Sequence, residues 1–174
     1  MSTLPDGAWI EMELDREYPV KSMEAAFEHL SSDENNFQFT FDIYGKSSTD
    51  TEWQTLFAGV NATRLDDGYL QTLTLDSIKN LKSVRIVITS ITNTAGDPWP
   101  ALAEFKIFAD TSGSGSEDTE SIAYKKPVHT NAGGVVSRIN DGSTINTWTG
   151  ERYPAYVDIC LLYTSPSPRD RTRS

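Results

Sequence analysis

Two histidines, His29 and His129, are the side chains best suited to acid–base or metal work near neutral pH, and no motif attaches a task to either. Neither is spaced with cysteine, carboxylate or a second histidine in the manner of a metal site, and a lone histidine on an alternating strand reads as a half-exposed packing residue. Serine and threonine are abundant, yet no Gly-x-Ser-x-Gly elbow sharpens one of them into a nucleophile. The carboxylate pair Asp66-Asp67 runs straight into Gly68 between two strand-like runs, which is hairpin chemistry and not a glycosidase acid–base pair. Among the aromatic residues Trp99 stands apart. It lies in the loop Gly96-Asp-Pro-Trp-Pro100, whose prolines would either hold the indole outward for a ligand or lay it over the end of the fold. These residues point to a non-catalytic chain.

The elements that must position them have a period of two. Residues 20–30, 37–44, 53–57, 69–75, 84–88 and 102–108 alternate or are rich in β-branched and aromatic side chains, as is Ala8-Trp-Ile-Glu-Met-Glu-Leu14. Turn signals separate them at residues 31–36, 45–50, 66–68 and 95–98. Short antiparallel strands with one apolar face each must bury that face against another sheet, so the expected fold is an all-β antiparallel sandwich or jelly roll. The strand at residues 8–14 recurs as Ala155-Tyr-Val-Asp-Ile159, and the Ser/Gly run Thr111-Ser-Gly-Ser-Gly-Ser116 lies between the two copies. That order suggests a cut through a tandem array.

The end of the chain has a different character. Cys160-Leu-Leu-Tyr-Thr-Ser-Pro-Ser-Pro-Arg-Asp170 resembles a translated transposase sequencing adapter, since TGTCTCTTATACACATCT encodes Cys-Leu-Leu-Tyr-Thr-Ser and CCGAGCCCACGAGAC encodes Pro-Ser-Pro-Arg-Asp. Residues 160–174 are therefore set aside as an adapter-derived tail. The whole chain has a net charge of −10, and the three arginines and one aspartate of the tail carry +2, leaving −12 on the rest. Such acidity argues against nucleic acid and anionic membrane surfaces as partners. The single cysteine lies in the tail, so no disulfide framework is expected. No run of about eighteen apolar residues is present, which argues against membrane insertion, and no signal-like segment opens the chain.

Five landmarks in order carry a family resemblance. Trp9-Ile-Glu-Met-Glu-Leu14, Ile43-Tyr-Gly-Lys-Ser-Ser-Thr-Asp-Thr-Glu-Trp-Gln-Thr-Leu56, Ser83-Val-Arg-Ile86 and Ala101-Leu-Ala-Glu-Phe-Lys-Ile-Phe108 resemble the strand and loop motifs of the coagulation factor 5/8 type C, or discoidin, family. Arg138-Ile-Asn-Asp-Gly-Ser-Thr-Ile-Asn-Thr-Trp148, with Ile122-Ala-Tyr-Lys-Lys-Pro-Val-His-Thr130 before it, resembles the opening of that family. The family overlaps the family 32 carbohydrate-binding modules, and the lack of a closing cysteine pair places the likeness on the bacterial, sugar-binding side. The resemblance implies a galactose-binding-like jelly roll. Residues 7–110 would be a domain lacking its N-terminal strands, 111–117 a Ser/Gly linker, and 118–159 the N-terminal part of a second such domain. If the second stretch folds back onto the first, it would complete one sandwich as a circular permutant.

The same resemblance implies a structural calcium ion held by Asp141, Ser143 and Asn146 in the Asp-Gly loop and by Glu104 on the last strand. Such a hard cation takes oxygen ligands from carboxylates, amides and carbonyls in a tight turn. It also implies core positions for Trp9, Trp53 and Trp148. A sugar would need an aromatic face and planar polar groups, for which Trp99, with His129 and Asn131, is the candidate set. The implied function is a non-catalytic glycan-binding module, for galactose-type or related sugars, within a larger secreted or cell-surface bacterial glycan-degrading enzyme. The alternative is a structural spacer or protein-binding module of a surface protein.

Overall fold

The computed structural model describes residues 7–27, 38–62, 70–92, 99–110 and 120–151. The architecture is all-β and antiparallel, with one short 3-10 turn, Val136–Arg138, among the described residues. The strands are β1 (Ala8–Ala26), β2 (Gln38–Lys46), β3 (Gln54–Asn61), β4 (Leu70–Thr92), β5 (Ala101–Leu102), β6 (Glu104–Ala109), β7 (Val128–Thr130) and β8 (Trp148–Thr149). Six of them form one sheet, in the order β3-β2-β4-β1-β6 with β7 also on β1, and β5 pairs with β8.

Two strands are far longer than the sequence pattern divides them. Residues 8–14 and 20–26 belong to one strand, β1, and residues 70–75 and 84–88 to another, β4. The polar stretches between these apolar runs stay paired, Tyr18 with Leu81 and Pro19 with Asn80. The pairing slips between Glu13 and Tyr18 and between Val20 and Ser22, and such irregularities bend a strand and increase its twist. Bending is required by the packing. Leu70 pairs with Ala26 and Ile91 with Phe39, at opposite ends of β4, which an unbent strand would hold roughly 70 Å apart. Yet the rings of Phe27 and Phe39 stack at 5.0 Å. The β1–β4 ribbon therefore folds over, and its two halves become facing layers of a sandwich.

Both halves fill one core. Ile10, Met12 and Leu14 from the first half of β1 share it with Val20, Met23 and Ala25 from the second, with Phe39, Phe41 and Ile43 of β2 and Phe105 and Ile107 of β6. The alternation of β1 places Trp9, Glu11 and Glu13 on the outer face between these buried positions.

Residues 120–151 pack on this body. Ile10, Glu11 and Met12 pair with Thr130, His129 and Val128, and Ala101 and Leu102 pair with Thr149 and Trp148. Ile122 donates its N–H to the Ile107 carbonyl and Phe105 donates to that of Ile139. Ala123, Ala132, Ile139 and Trp148 join the common core, Trp148 with no exposed surface. The repeat at residues 155–159, the linker at 111–117, His29, the Asp66-Asp67-Gly68 turn and the tail lie outside the described residues.

A candidate ligand-binding end and cation loop

The Asp141-Gly142 turn is closed by its own side chains. Asp141 accepts the Ser143 N–H at 2.8 Å on Oδ1 and the Asn146 side-chain amide at 3.0 Å on Oδ2. Ser143 Oγ in turn accepts the Ile145 N–H at 3.2 Å. Gly142 has φ +85°, a left-handed conformation that suits glycine, and its N–H donates to Glu104 Oε2 at 3.0 Å. Glu104 opens β6 directly after Leu102 and Ala103, and β5 pairing with β8 brings that turn to the loop. Glu104 and the Asp141, Ser143 and Asn146 turn thus meet in one place.

Electrostatically this cluster is under tension. Glu104 is 2% exposed. Burial pushes its carboxyl up to about 7, and the charge of Asp141 adds to the rise, while the Gly142 and Ser143 N–H groups and Lys106 pull the other way. A buried acid beside a second carboxylate is a donor set a hard cation satisfies, since a positive ion replaces the missing solvation of both. The residues fit a calcium ion in type and in meeting place.

A second cluster forms where β5 and β8 begin and end. The Gly150 N–H donates to the Pro100 carbonyl at 2.8 Å and the Glu151 N–H to the Ala132 carbonyl at 2.7 Å. Any side chain on Gly150 would meet Pro100, Ala132 and Trp148, so this crossing requires glycine. Trp99 and Pro100 and the loop at residues 131–135 are thereby brought to one end of the sandwich, and residues 96–98 lie outside the described residues. Gly133 and Gly134, exposed and both at positive φ, line it, and the Glu151 carboxylate lies beside Gly133. Trp148 donates its indole N–H to the Gly133 carbonyl at 2.7 Å and fixes the loop from below.

Trp99 is half-buried and packs against the core. His129 is half-buried on β7, opposite Glu11. Asn131 is spent elsewhere: 3% exposed, it accepts the Trp9 N–H at 2.8 Å and donates to the Gly7 carbonyl at 2.9 Å. Its amide is a buried clamp between β1 and the loop after β7. Glu151 is the polar residue of this end that the sequence did not single out. Its only advance signal was its place just before the second copy of the strand motif.

The chain is similar to two carbohydrate-binding structures. One is a pectin binding carbohydrate binding module, with 18% identity, coverage of 66% of this chain and 71% of that one, and a TM-score of 0.48. The other is CpGH89CBM32-6 produced by Clostridium perfringens, with 15% identity, coverage of 62% and 73%, and a TM-score of 0.42. No family model and no curated protein matches the chain.

Two of the tryptophans do not take the core positions expected of them. Trp148 is in the core, but Trp9 and Trp53 are half-buried on the outer face, with the Arg85 guanidinium between them at 4.2 Å and 4.5 Å from their rings. Arg85 pairs with Glu11 across the β1–β4 ladder. The alternation of β1 decides the matter for Trp9, because Ala8 and Ile10 take the inward positions. Cation–π contacts of the one guanidinium with each of the two rings, together with the ion pair, hold the loop before β3 against the sheet.

Proposed function

We propose that this chain is a non-catalytic glycan-binding module, with its sugar site at the end of the sandwich where the Trp99 loop meets residues 131–135. The observation that carries the reading is the crossing at Gly150. It brings the half-buried Trp99 beside Pro100, the Glu151 carboxylate and exposed glycine backbone to one rim from sequence positions far apart. A pyranose presents an apolar face to an indole and hydroxyls to planar acceptors. Trp99 would take the first role, the Glu151 carboxylate the second, and His129 stands at lower priority on the neighbouring strand. Galactose-type or related sugars are the class to try first, and the natural setting of the reading is a secreted or surface-attached glycan-degrading enzyme of several domains.

The proposed resident cation is calcium, held by the carboxylates of Glu104 and Asp141 with Ser143 and Asn146 adding oxygens. Its chemistry is to neutralise a buried acid and lock the loop before β8, a structural role. The chain's own residues supply the recognition.

Affinity electrophoresis through gels containing galactan or pectin tests the site with Trp99→Ala and Glu151→Gln. Loss of one stacked ring or one acceptor is expected to weaken retention roughly tenfold, about 1.4 kcal/mol, with the melting temperature little changed. Retention of both variants equal to the parent, or no retention of the parent on any glycan, would move the reading to a structural spacer.

A further inference from the structure

A lysine beside the cation loop holds a backbone conformation that its side chain disfavours. Lys125 has φ +54° and is the one non-glycine residue at positive φ among the described residues. Such strain persists where the surroundings over-determine it. Here they do so through Asn140. Its carbonyl accepts the Lys125 N–H at 3.0 Å, and its buried side-chain amide donates to the Ala123 carbonyl at 2.6 Å and to the Lys126 carbonyl at 2.9 Å. The Lys126 N–H closes the same turn on the Ala123 carbonyl at 3.1 Å. Asn140 directly precedes Asp141, so the clamp that bends the chain at Lys125 also fixes it against the start of the cation loop.

The side chains continue the contact. The Tyr124 ring covers Gly142, 3.2 Å from where a β-carbon would stand, and the Lys125 ammonium lies 4.7 Å from the centre of that ring. An exposed lysine is thus held at the edge of the turn that carries Asp141 and the Gly142 N–H bond to buried Glu104. Tyr124 and, after it, the charge of Asp141 keep the ammonium above the usual lysine range. Lys106, two residues along β6 from Glu104, is a second ammonium acting on that carboxyl, and in the ladder it stands opposite Glu24.

We propose that Lys125 is a tethered cation that competes with calcium, so that it sets the calcium concentration at which Glu104, Asp141, Ser143 and Asn146 take up the ion. The inference rests on the calcium reading given above. In the metal-free chain the ammonium offsets part of the carboxylate charge, and a calcium ion entering the loop meets its repulsion. A monovalent ion brings no more charge than the lysine already supplies, whereas a divalent ion does, so the arrangement favours the divalent one. The loop then fills only where calcium is plentiful, and the order of the segment before β8 becomes conditional on the ion.

Calorimetric titration of the full chain with calcium chloride, beside thermal melts in a chelating buffer, tests this on Lys125→Gln, Lys125→Arg and Lys125→Gly. Removing one positive charge near a divalent ion should tighten calcium binding roughly threefold to tenfold at low salt. In about 1 M salt, where the screening length is about 3 Å, the difference should vanish. Lys125→Gln should also melt below the parent in chelator and at or above it in saturating calcium, a reversal that loss of a turn contact alone does not produce. Lys125→Arg should keep the parent's affinity. Lys125→Gly relieves the positive φ and should bind calcium as tightly as Lys125→Gln whatever its melting temperature, which separates charge from strain. Parent-like affinity in the glutamine and glycine variants overturns the inference and leaves the calcium reading standing, and a parent that binds no calcium removes both.

Discussion

Glu104 is a buried carboxyl whose charged form the fold disfavours. Its folded value of about 7 lies above the usual carboxylate range, so the protonated form is the one the fold favours. The stabilisation this provides is complete below the unfolded value and is lost as pH rises through about 7. Without divalent ions, the melting temperature of the parent should therefore fall between pH 5 and pH 7.5. Glu104→Gln, neutral and of the same shape, should flatten that slope, and thermal melts across the range in a chelating buffer check it. A slope unchanged in the variant would assign the pH dependence to another group. At this scale the sequence was a partial guide. Asp141, Ser143 and Asn146 share one Asp-Gly turn motif, Glu104 was joined to them only by the family resemblance, and Asn131 was read as a candidate sugar contact. Its capture by Gly7 and Trp9, more than 120 positions away, depends on a docking no local pattern records.

The element most sensitive to a single change is the junction of β1 with the loop after β7. Asn131→Ala leaves the Trp9 N–H and the Gly7 carbonyl without their partner in a buried setting. At about 1 to 3 kcal/mol for each unsatisfied group, a loss of about 3 kcal/mol is expected, which lowers the midpoint by roughly 10 °C for a domain of this size. Urea titration followed by circular dichroism measures it directly, and a loss below about 1 kcal/mol would show that water replaces the clamp. The strands themselves were legible where apolar alternation was regular, as in residues 8–14 and 37–44. The continuity of β1 and β4 was not. Their bends come from slips in pairing at residues such as Tyr18 and Ser22, and a register shift needs no glycine or proline to announce it.

Taken whole, the molecule buries Ala123, Ala132, Ile139 and Trp148 of the shorter stretch in the core of the longer one, so the two should melt as one unit. Excess calcium, at one hundred times its dissociation constant, is expected to add about 2.7 kcal/mol to that unit. The shift in midpoint should be roughly 5 to 10 °C, reversed by a chelator, in a single calorimetric transition. Two transitions, or a melt indifferent to calcium, would count against the joined cation loop. The sandwich class was legible from the period of two. The pairing of distant stretches was legible only through the order of five weak motifs, because no one of them has the specificity to fix a long-range contact.

The tryptophans are divided unequally between the two stretches. Trp9, Trp53 and Trp99 belong to the longer one, where two of them flank a guanidinium on the outer face, while Trp148 alone belongs to the shorter and is the one sealed in the core. Indole emission shifts to the blue when the ring is withdrawn from water. A chain with phenylalanine at positions 9, 53 and 99 would therefore glow from a single lamp, blue when the shorter stretch is seated and red when it has left, and closure of the sandwich would be visible in a cuvette without a label.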